Sequence, residues 1–347
     1  AVGKRGKVAN LSDIKHMAGA VITSPVMWLA ALLNPPLKAW QRATGTGGMA
    51  AFFLAPNMAI FGVFVLIPLV MNFFYSMTSG SAYFLADRTF VGLEQYGRLL
   101  DCGNYLDPGT CREDLFWKAA QNTAIFVFFQ VSLMTLTAMI TALILNRKIA
   151  GRGFWRAVFF FPVLLSPVVV GLIWRWILQR QGLLNYVLYT FGADTHDWLT
   201  ERLPAFTAAV SVSVWAHMGF FTLILLAGLQ AIPRDLYEAA EMDGTKPARV
   251  FWRITLPLLM PNLLVVIVLS LIRAVQIFDE VYVLTGGGPG TSTMYLTQYI
   301  YEVGFASLLR NPGLAAAASI MMGLVLVVLT LVQLGLGRRN EQKGARE

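Results

Sequence analysis

The sequence predicts an all-α membrane protein with six transmembrane helices. Hydrophobic residues make up 56% of the 347, and charged residues only 13%. A soluble domain carries about 25% charged residues. Mean hydropathy is +0.61. Six segments are long and apolar enough to cross a bilayer core of about 30 Å, which takes about 20 residues of helix: residues 49–77, 119–145, 154–178, 205–229, 258–284 and 313–336. The formal charge of +8 is read as cytoplasmic-loop charge rather than nucleic-acid binding, because basic residues flank membrane spans on that side.

The N-terminal segment precedes these spans. Residues 1–48 form a cytoplasmic or interfacial extension, 49–337 the membrane domain and 338–347 a cytoplasmic tail. Within the extension, residues 17–33 are uncharged but short and contain Thr23, Ser24 and Pro25. They read either as an interfacial or re-entrant helix flanked by Lys15, Lys38 and Arg42, or as an extra span. The stretch lacks a small-residue cleavage site, so no cleavable leader is expected there.

Loop charges orient the spans. The connection after the second span holds Arg147, Lys148 and Arg152 with no acid, and the tail holds Arg338, Arg339, Lys343 and Arg346. The loop after the first span is acid-rich, with Asp87, Glu94, Asp101, Asp107, Glu113 and Asp114. Both termini are therefore expected in the cytoplasm, which an even number of spans also requires. The acid-rich loop contains both cysteines, Cys102 and Cys111. In an oxidising compartment they form a disulfide or remain two thiols.

The connection between the fourth and fifth spans, residues 231–257, is long and patterned. Residues 234–242 predict a short helix entered after Pro233, with Asp235 and Glu238 toward its positive N-terminal end. Gly244 suits a left-handed C-terminal cap. A second helix is expected from Pro247, and Pro257 is expected to mark the start of the fifth span. Ala239 and Ala240 leave one face small enough for another protein to approach. An ordinary amphipathic connector is the other reading.

Glu238, Ala239, Ala240, then Gly244, then Ile254, Leu256 and Pro257 stand at a spacing that resembles the signature loop of bacterial ATP-binding-cassette importer permeases. Residues 228–233, 285–289, 91–96 and Asn122-Thr123 resemble the carbohydrate permeases of the maltose and glycerol-phosphate type. The resemblance covers residues 50–337. It implies the type I importer permease fold and a bacterial inner-membrane location. It implies docking of the 238–257 loop, Asp243 included, on a separate ATPase. The implied partners are an ABC ATPase dimer, a second permease subunit and an extracytoplasmic solute-binding protein. ATP and Mg would be bound by the ATPase subunits. No Walker motif occurs in this chain, so no catalytic residue is expected here.

Polar residues at span depth are functional candidates. In the fifth span Arg273, Gln276 and Glu280 stand three and four apart and are expected on one helix face, with Asp279 beside them. That face lines a cavity, or an Arg–acid pair holds helices together. The resemblance adds Ser213, His217 and Ser270 as sugar contacts. Trp215 stacks on a sugar ring or simply packs. Pro162, Ser166 and Pro167 are expected to break the third span. The scattered histidines, three in all, make a metal site improbable. The glycine run 286–290 lacks the lysine of a phosphate loop and is read as a turn. A sugar or related polyol is the expected cargo. A secondary transporter or channel without an ATPase is the alternative, and it predicts paired interrupted helices. A membrane enzyme would need a catalytic cluster at one depth, which the sequence does not offer.

Overall fold

The computed structural model describes residues 34, 38, 40–82 and 84–344. Residues 17–33, whose reading as interfacial or spanning was left open, lie outside the described residues. The chain divides into two compact units, Ala1–Met71 and Asn72–Glu347. The described part of the first unit is almost entirely helix α1 (Trp40–Ser76), whose last residues belong to the second unit. A π-turn over Gly62–Leu66 interrupts its α-helical hydrogen bonding.

In the second unit a two-residue hairpin, β1 (Thr78–Ser79) with β2 (Thr89–Phe90), pairs Thr78 with Phe90 and Ser79 with Thr89. Arg88, buried beneath it, donates to Thr78 Oγ1 at 2.7 Å and to the Ala82 carbonyl at 2.8 Å. Helix α2 (Glu94–Leu100) follows. Cys102 and Cys111 are disulfide-bonded, which resolves the choice that the sequence left open. The helices are then α3 (Asp114–Asn146), α4 (Arg152–Phe160), α5 (Pro167–Leu178), α6 (Leu183–Thr190) and α7 (Arg202–Ala231). They continue with α8 (Arg234–Met242), α9 (Pro247–Val275), α10 (Asp279–Thr285), α11 (Leu296–Tyr301) and α12 (Pro312–Gly344).

Five helices, α1, α3, α7, α9 and α12, are long and apolar enough to cross a membrane. The expected third span is bent by 99° between Arg152–Leu164 and Pro167–Thr190, and counts as a sixth crossing if the pair is one span. The break falls at Leu165–Ser166, between a turn carrying Pro162 and a helix opened by Pro167. Pro167 has no N–H to give and biases Ser166 to an extended backbone, so a continuous helix is not available there.

One sequence expectation is corrected. The fifth span ends at Val275 and not at residue 284: Gln276–Phe278 is not helical, and α10 starts afresh at Asp279. The break is stabilised from outside, because Thr297 Oγ1 donates to the freed Ile277 carbonyl. Pro257 stands in the first turn of the α-helical stretch Leu256–Val275, as expected, and the helical run that carries it begins earlier. Helix α9 runs unbroken from Pro247 past it, with a π-turn over Phe251–Thr255 immediately before Leu256. That turn widens the hydrogen-bond ring where a proline N–H would be missing.

The core lies where α3 packs along α7, with α9 against both and α5 against α10. Small residues set the closest approaches, as is usual between membrane helices. A Cβ on Gly219 of α7 would sit 2.3 Å from the Phe159 carbonyl oxygen, and one on Gly171 of α5 would sit 2.7 Å from that of Glu280. Gly219→Val is therefore expected to push α7 off the broken helix pair. Overpacking of this kind costs about 1–3 kcal/mol. Thermal unfolding of the purified variant should show a midpoint lowered by several degrees, and an unchanged midpoint would show that the contact yields freely.

Candidate transport site and coupling helix

Residues at two breaks, Leu165–Ser166 and Gln276–Phe278, line one cavity of about 550 Å³. Pro162, Leu165 and Pro167 line it from the first break, His217 and Phe220 from α7, and Arg273 from α9. Gln276, Phe278, Asp279 and Glu280 complete the wall. Interrupted helices are tolerated at membrane depth only where they line a cavity or are covered by protein.

Arg273 Nη2 donates to His217 Nε2. A guanidinium has no acceptor, so Nε2 accepts, and Nδ1 carries the ring proton. That proton is donated to the Ser213 carbonyl at 2.9 Å. The network thus assigns a neutral imidazole with a fixed ring orientation. Glu280 Oε1 lies 3.9 Å from His217 Nδ1, and Glu280 is buried at 5% exposure. Arg273, Gln276 and Asp279 remain exposed to the cavity. The arrangement presents a cation, a carboxylate and an amide to an entering molecule. The aromatic Phe278 stands beside them, stacked on Tyr282 at 5.1 Å.

The sequence-derived candidates divide accordingly. His217, Arg273, Gln276 and Asp279 are brought together on the cavity. Their grouping does not come from a shared helix face, which the break at 276–278 abolishes; the chain turns and brings Asp279 and Glu280 back around the same space. Ser213 and Ser270 are buried at 1% and 0% exposure and are not on the lining. The Ser270 hydroxyl donates to Ile267 O at 3.1 Å within its own helix. Trp215 packs edge-on to Trp174, centroids 5.4 Å apart, and is off the lining too. Phe220 and Phe278 were missed as lining residues. Phe278 had no signal beyond its place before two acids, which open α10 as helix-starting residues do.

At the α8 end of the molecule a second arrangement forms. Helix α8 spans Arg234–Met242, as expected from sequence. Gly244 takes φ +63°, with Thr245 N donating to Ala240 O at 2.9 Å and Gly244 N to Glu241 O at 3.0 Å. That pair of bonds is the Schellman closure. Glu238, Ala239 and Asp243 are exposed, while Ala240 turns inward and is buried. Tyr237 Oη and Thr255 Oγ1 bond at 3.2 Å and tie α8 to the first turns of α9. Ile254 and Leu256 are half-buried, and Pro257 is exposed. Met242 and Trp252 are 89% and 65% exposed, so large apolar side chains flank the exposed acids.

Residues 134–342 match the model of the family described as binding-protein-dependent transport system inner membrane component. The chain belongs to that family. It is a multi-pass inner-membrane permease subunit. Among its relatives, the trehalose/maltose transport system permease protein MalF of Thermococcus litoralis is 38% identical over 289 residues, covering 82% of this chain and 92% of that one. The lactose transport system permease protein LacF of Rhizobium radiobacter is 33% identical, covering 84% and 94%. A solved bacterial alginate ABC transporter, in complex with an alginate pentasaccharide-bound periplasmic protein, contains a chain with a TM-score of 0.71 at 22% identity. The match covers 86% of this chain and 97% of that one. The likeness extends to the helical architecture, and the carbohydrate-type recognition made from the loop motifs agrees with these relatives.

Proposed function

We propose that this permease conducts a sugar or related polyol inward, driven by ATP hydrolysed on a separate pair of ABC ATPase subunits that hold the ATP and Mg. The observation that carries the reading is the cavity at the two helix breaks, which joins a fixed Arg273–His217 pair to Gln276 and Asp279. A polyhydroxylated solute needs such closely spaced donors and acceptors, with an aromatic face beside them. In this reading His217, Arg273, Gln276 and Asp279 meet the solute. Ser213, Trp215 and Ser270 lie behind them and hold their positions.

The exposed Glu238-Ala239 edge of α8, with Asp243, is the ATPase docking surface. Motion reaches the cavity because α8 is bonded to α9 through Tyr237 and Thr255, and α9 carries Arg273 in its last turn before the second break. Closure of the ATPase pair would displace α8 and open the cavity outward, and hydrolysis would return it. A distinct second permease subunit supplies the other half of the pathway, and an extracytoplasmic solute-binding protein delivers the sugar. Residues 1–48 are a cytoplasmic or interfacial extension to the membrane domain 49–337, and both termini are cytoplasmic. Relatives with trehalose/maltose and lactose in their names support the sugar class.

Affinity purification of the full chain from its native membrane, followed by reconstitution into liposomes, tests the proposal. Co-purification of an ATPase and ATP-dependent uptake of a radiolabelled oligosaccharide are expected. Uptake that needs no ATP, from protein without an ATPase, would establish a secondary transporter instead.

A further inference from the structure

Two further cavities adjoin on the flank of α3 and α7, and their chemistry differs. The upper one, of about 440 Å³, is polar: it is lined by Asp107, Asp114, Lys118 and Arg202, with Gln121 and Thr291 between them. The lower one, of about 430 Å³, is an open apolar groove walled by Ile125, Phe129 and Leu133 of α3 and by Leu203, Phe206 and Val210 of α7. Asn122, Arg202 and Ser292 line both, so the two form one continuous amphipathic channel.

We propose that this channel is a binding site for a zwitterionic phospholipid of the phosphoethanolamine class. Its polar end carries two cations and two carboxylates, and no ion pair joins any two of these four among the described residues. Lys118 and Arg202 match a phosphate. Asp107 and Asp114 match an ammonium group, and a purely anionic head group would meet those two acids unfavourably. At the junction Ser292 lines both cavities, between the charged residues and the apolar wall. The apolar wall continues from Asn122 to Leu133, about 16 Å at 1.5 Å per residue. That is the depth of one leaflet of a hydrocarbon core about 30 Å thick. Phe129 and Phe206 meet edge-to-face at 5.8 Å and floor the groove.

The walls of the polar end are held in place. Asn122 Nδ2 donates to the Thr291 and Met294 carbonyls at 2.8 and 3.1 Å. Gln121 Nε2 donates to the Tyr105 and Leu106 carbonyls at 3.3 and 3.0 Å, which pins the disulfide-closed loop carrying Asp107 onto α3. The leaflet follows from the topology proposed above and is the outer one. The site itself does not rest on that reading or on the cargo.

The test is native mass spectrometry of the full chain, purified in mild detergent and offered equal dioleoyl phosphatidylethanolamine and dioleoyl phosphatidylglycerol. Retention of the ethanolamine lipid about tenfold over the glycerol lipid is expected, the scale of one charge-assisted hydrogen bond. Asp114→Lys should reverse the preference, and Arg202→Gln should weaken both lipids. Ile125→Trp should empty the groove; this position is 48% exposed, so the fold tolerates the larger side chain. Equal retention of both lipids, or retention insensitive to Ile125→Trp, overturns the proposal. So does equal competition by free glycerophosphoethanolamine, which would reduce the site to its polar end. If a cysteine placed at Ile125 cross-links to another protein subunit in the native membrane, the groove is a protein interface and the lipid reading fails.

Discussion

Replacing Arg273 with leucine is expected to reduce sugar uptake about a hundredfold while the protein still inserts. The guanidinium does two things at once in the cavity. It fixes His217 by donating to Nε2, and among the described residues it is the only Lys or Arg on a lining that also holds Asp279 and Glu280. Its loss leaves the buried Glu280 carboxylate beside a neutral imidazole with no guanidinium near it, and leaving a buried charge uncompensated costs about 3–5 kcal/mol. Part of the effect would therefore appear as lost stability. The double variant Arg273→Leu, Glu280→Gln separates the two contributions. Removing both charges should restore most of the thermal stability, because the buried carboxylate that the single variant leaves uncompensated is then gone. Uptake should stay low if Arg273 touches the solute. Arg273→Lys is expected to retain a minority of the activity, since a point charge on a flexible stem cannot reproduce the planar fork. Initial uptake rates, normalised to the amount of chain in the membrane fraction, measure all three. Wild-type rates in the leucine variant would remove Arg273 from the site.

The membrane class, the long apolar helices and the extent of α8 were legible in the sequence because each has a local cause. Composition fixes the solvent, a run of about 20 apolar residues fixes a span, and Pro233 and Gly244 bracket α8. The break at Leu165–Ser166 was equally local, since prolines stand on both sides of it. The break at Gln276–Phe278 was not. No glycine or proline lies there, and the i, i+3 and i+4 spacing from Arg273 to Glu280 fits a straight helix. What ends α9 is tertiary: Thr297, 20 residues further on, supplies the donor for Ile277 O, and α10 packs against α5 through Gly171. A pattern rule sees neither. The same gap explains the partial grouping of site candidates. Residue type picked out Arg273 and the family resemblance His217, but only packing separates Ser213, Trp215 and Ser270 from the cavity wall. The cysteine pair shows the opposite limit, where the sequence offered two states and contact geometry chose one.

Glu238→Lys is expected to abolish ATP-driven uptake and leave both the fold and the partner's basal ATPase activity in place. The fold expectation follows from exposure. Glu238 stands on the solvent side of α8, and surface substitutions away from buried networks stay within about 0.5 kcal/mol. The functional expectation follows from what lies around it. Ala239 leaves the helix edge bare, Asp243 adds a second exposed acid, and Met242 is almost fully exposed. Such a surface fits a partner that brings complementary positive charge and an apolar pocket. Reversing a charge at a docking rim sets like charges together and costs several kcal/mol, enough to detach the subunits at cellular concentrations. Glu238→Gln should be intermediate, because it removes the attraction without adding repulsion. Gly244→Val probes the same surface by another route. At φ +63° a β-branched residue is strained by roughly 1–2 kcal/mol, so the cap closing α8 should loosen and coupling should fall although every exposed side chain is unchanged. Proteoliposomes with the ATPase present give both readouts, phosphate release and solute accumulation. If the lysine variant accumulates solute at the wild-type ratio to ATP hydrolysed, α8 is not the coupling helix. If it accumulates solute with no ATPase bound, transport was never driven through this loop.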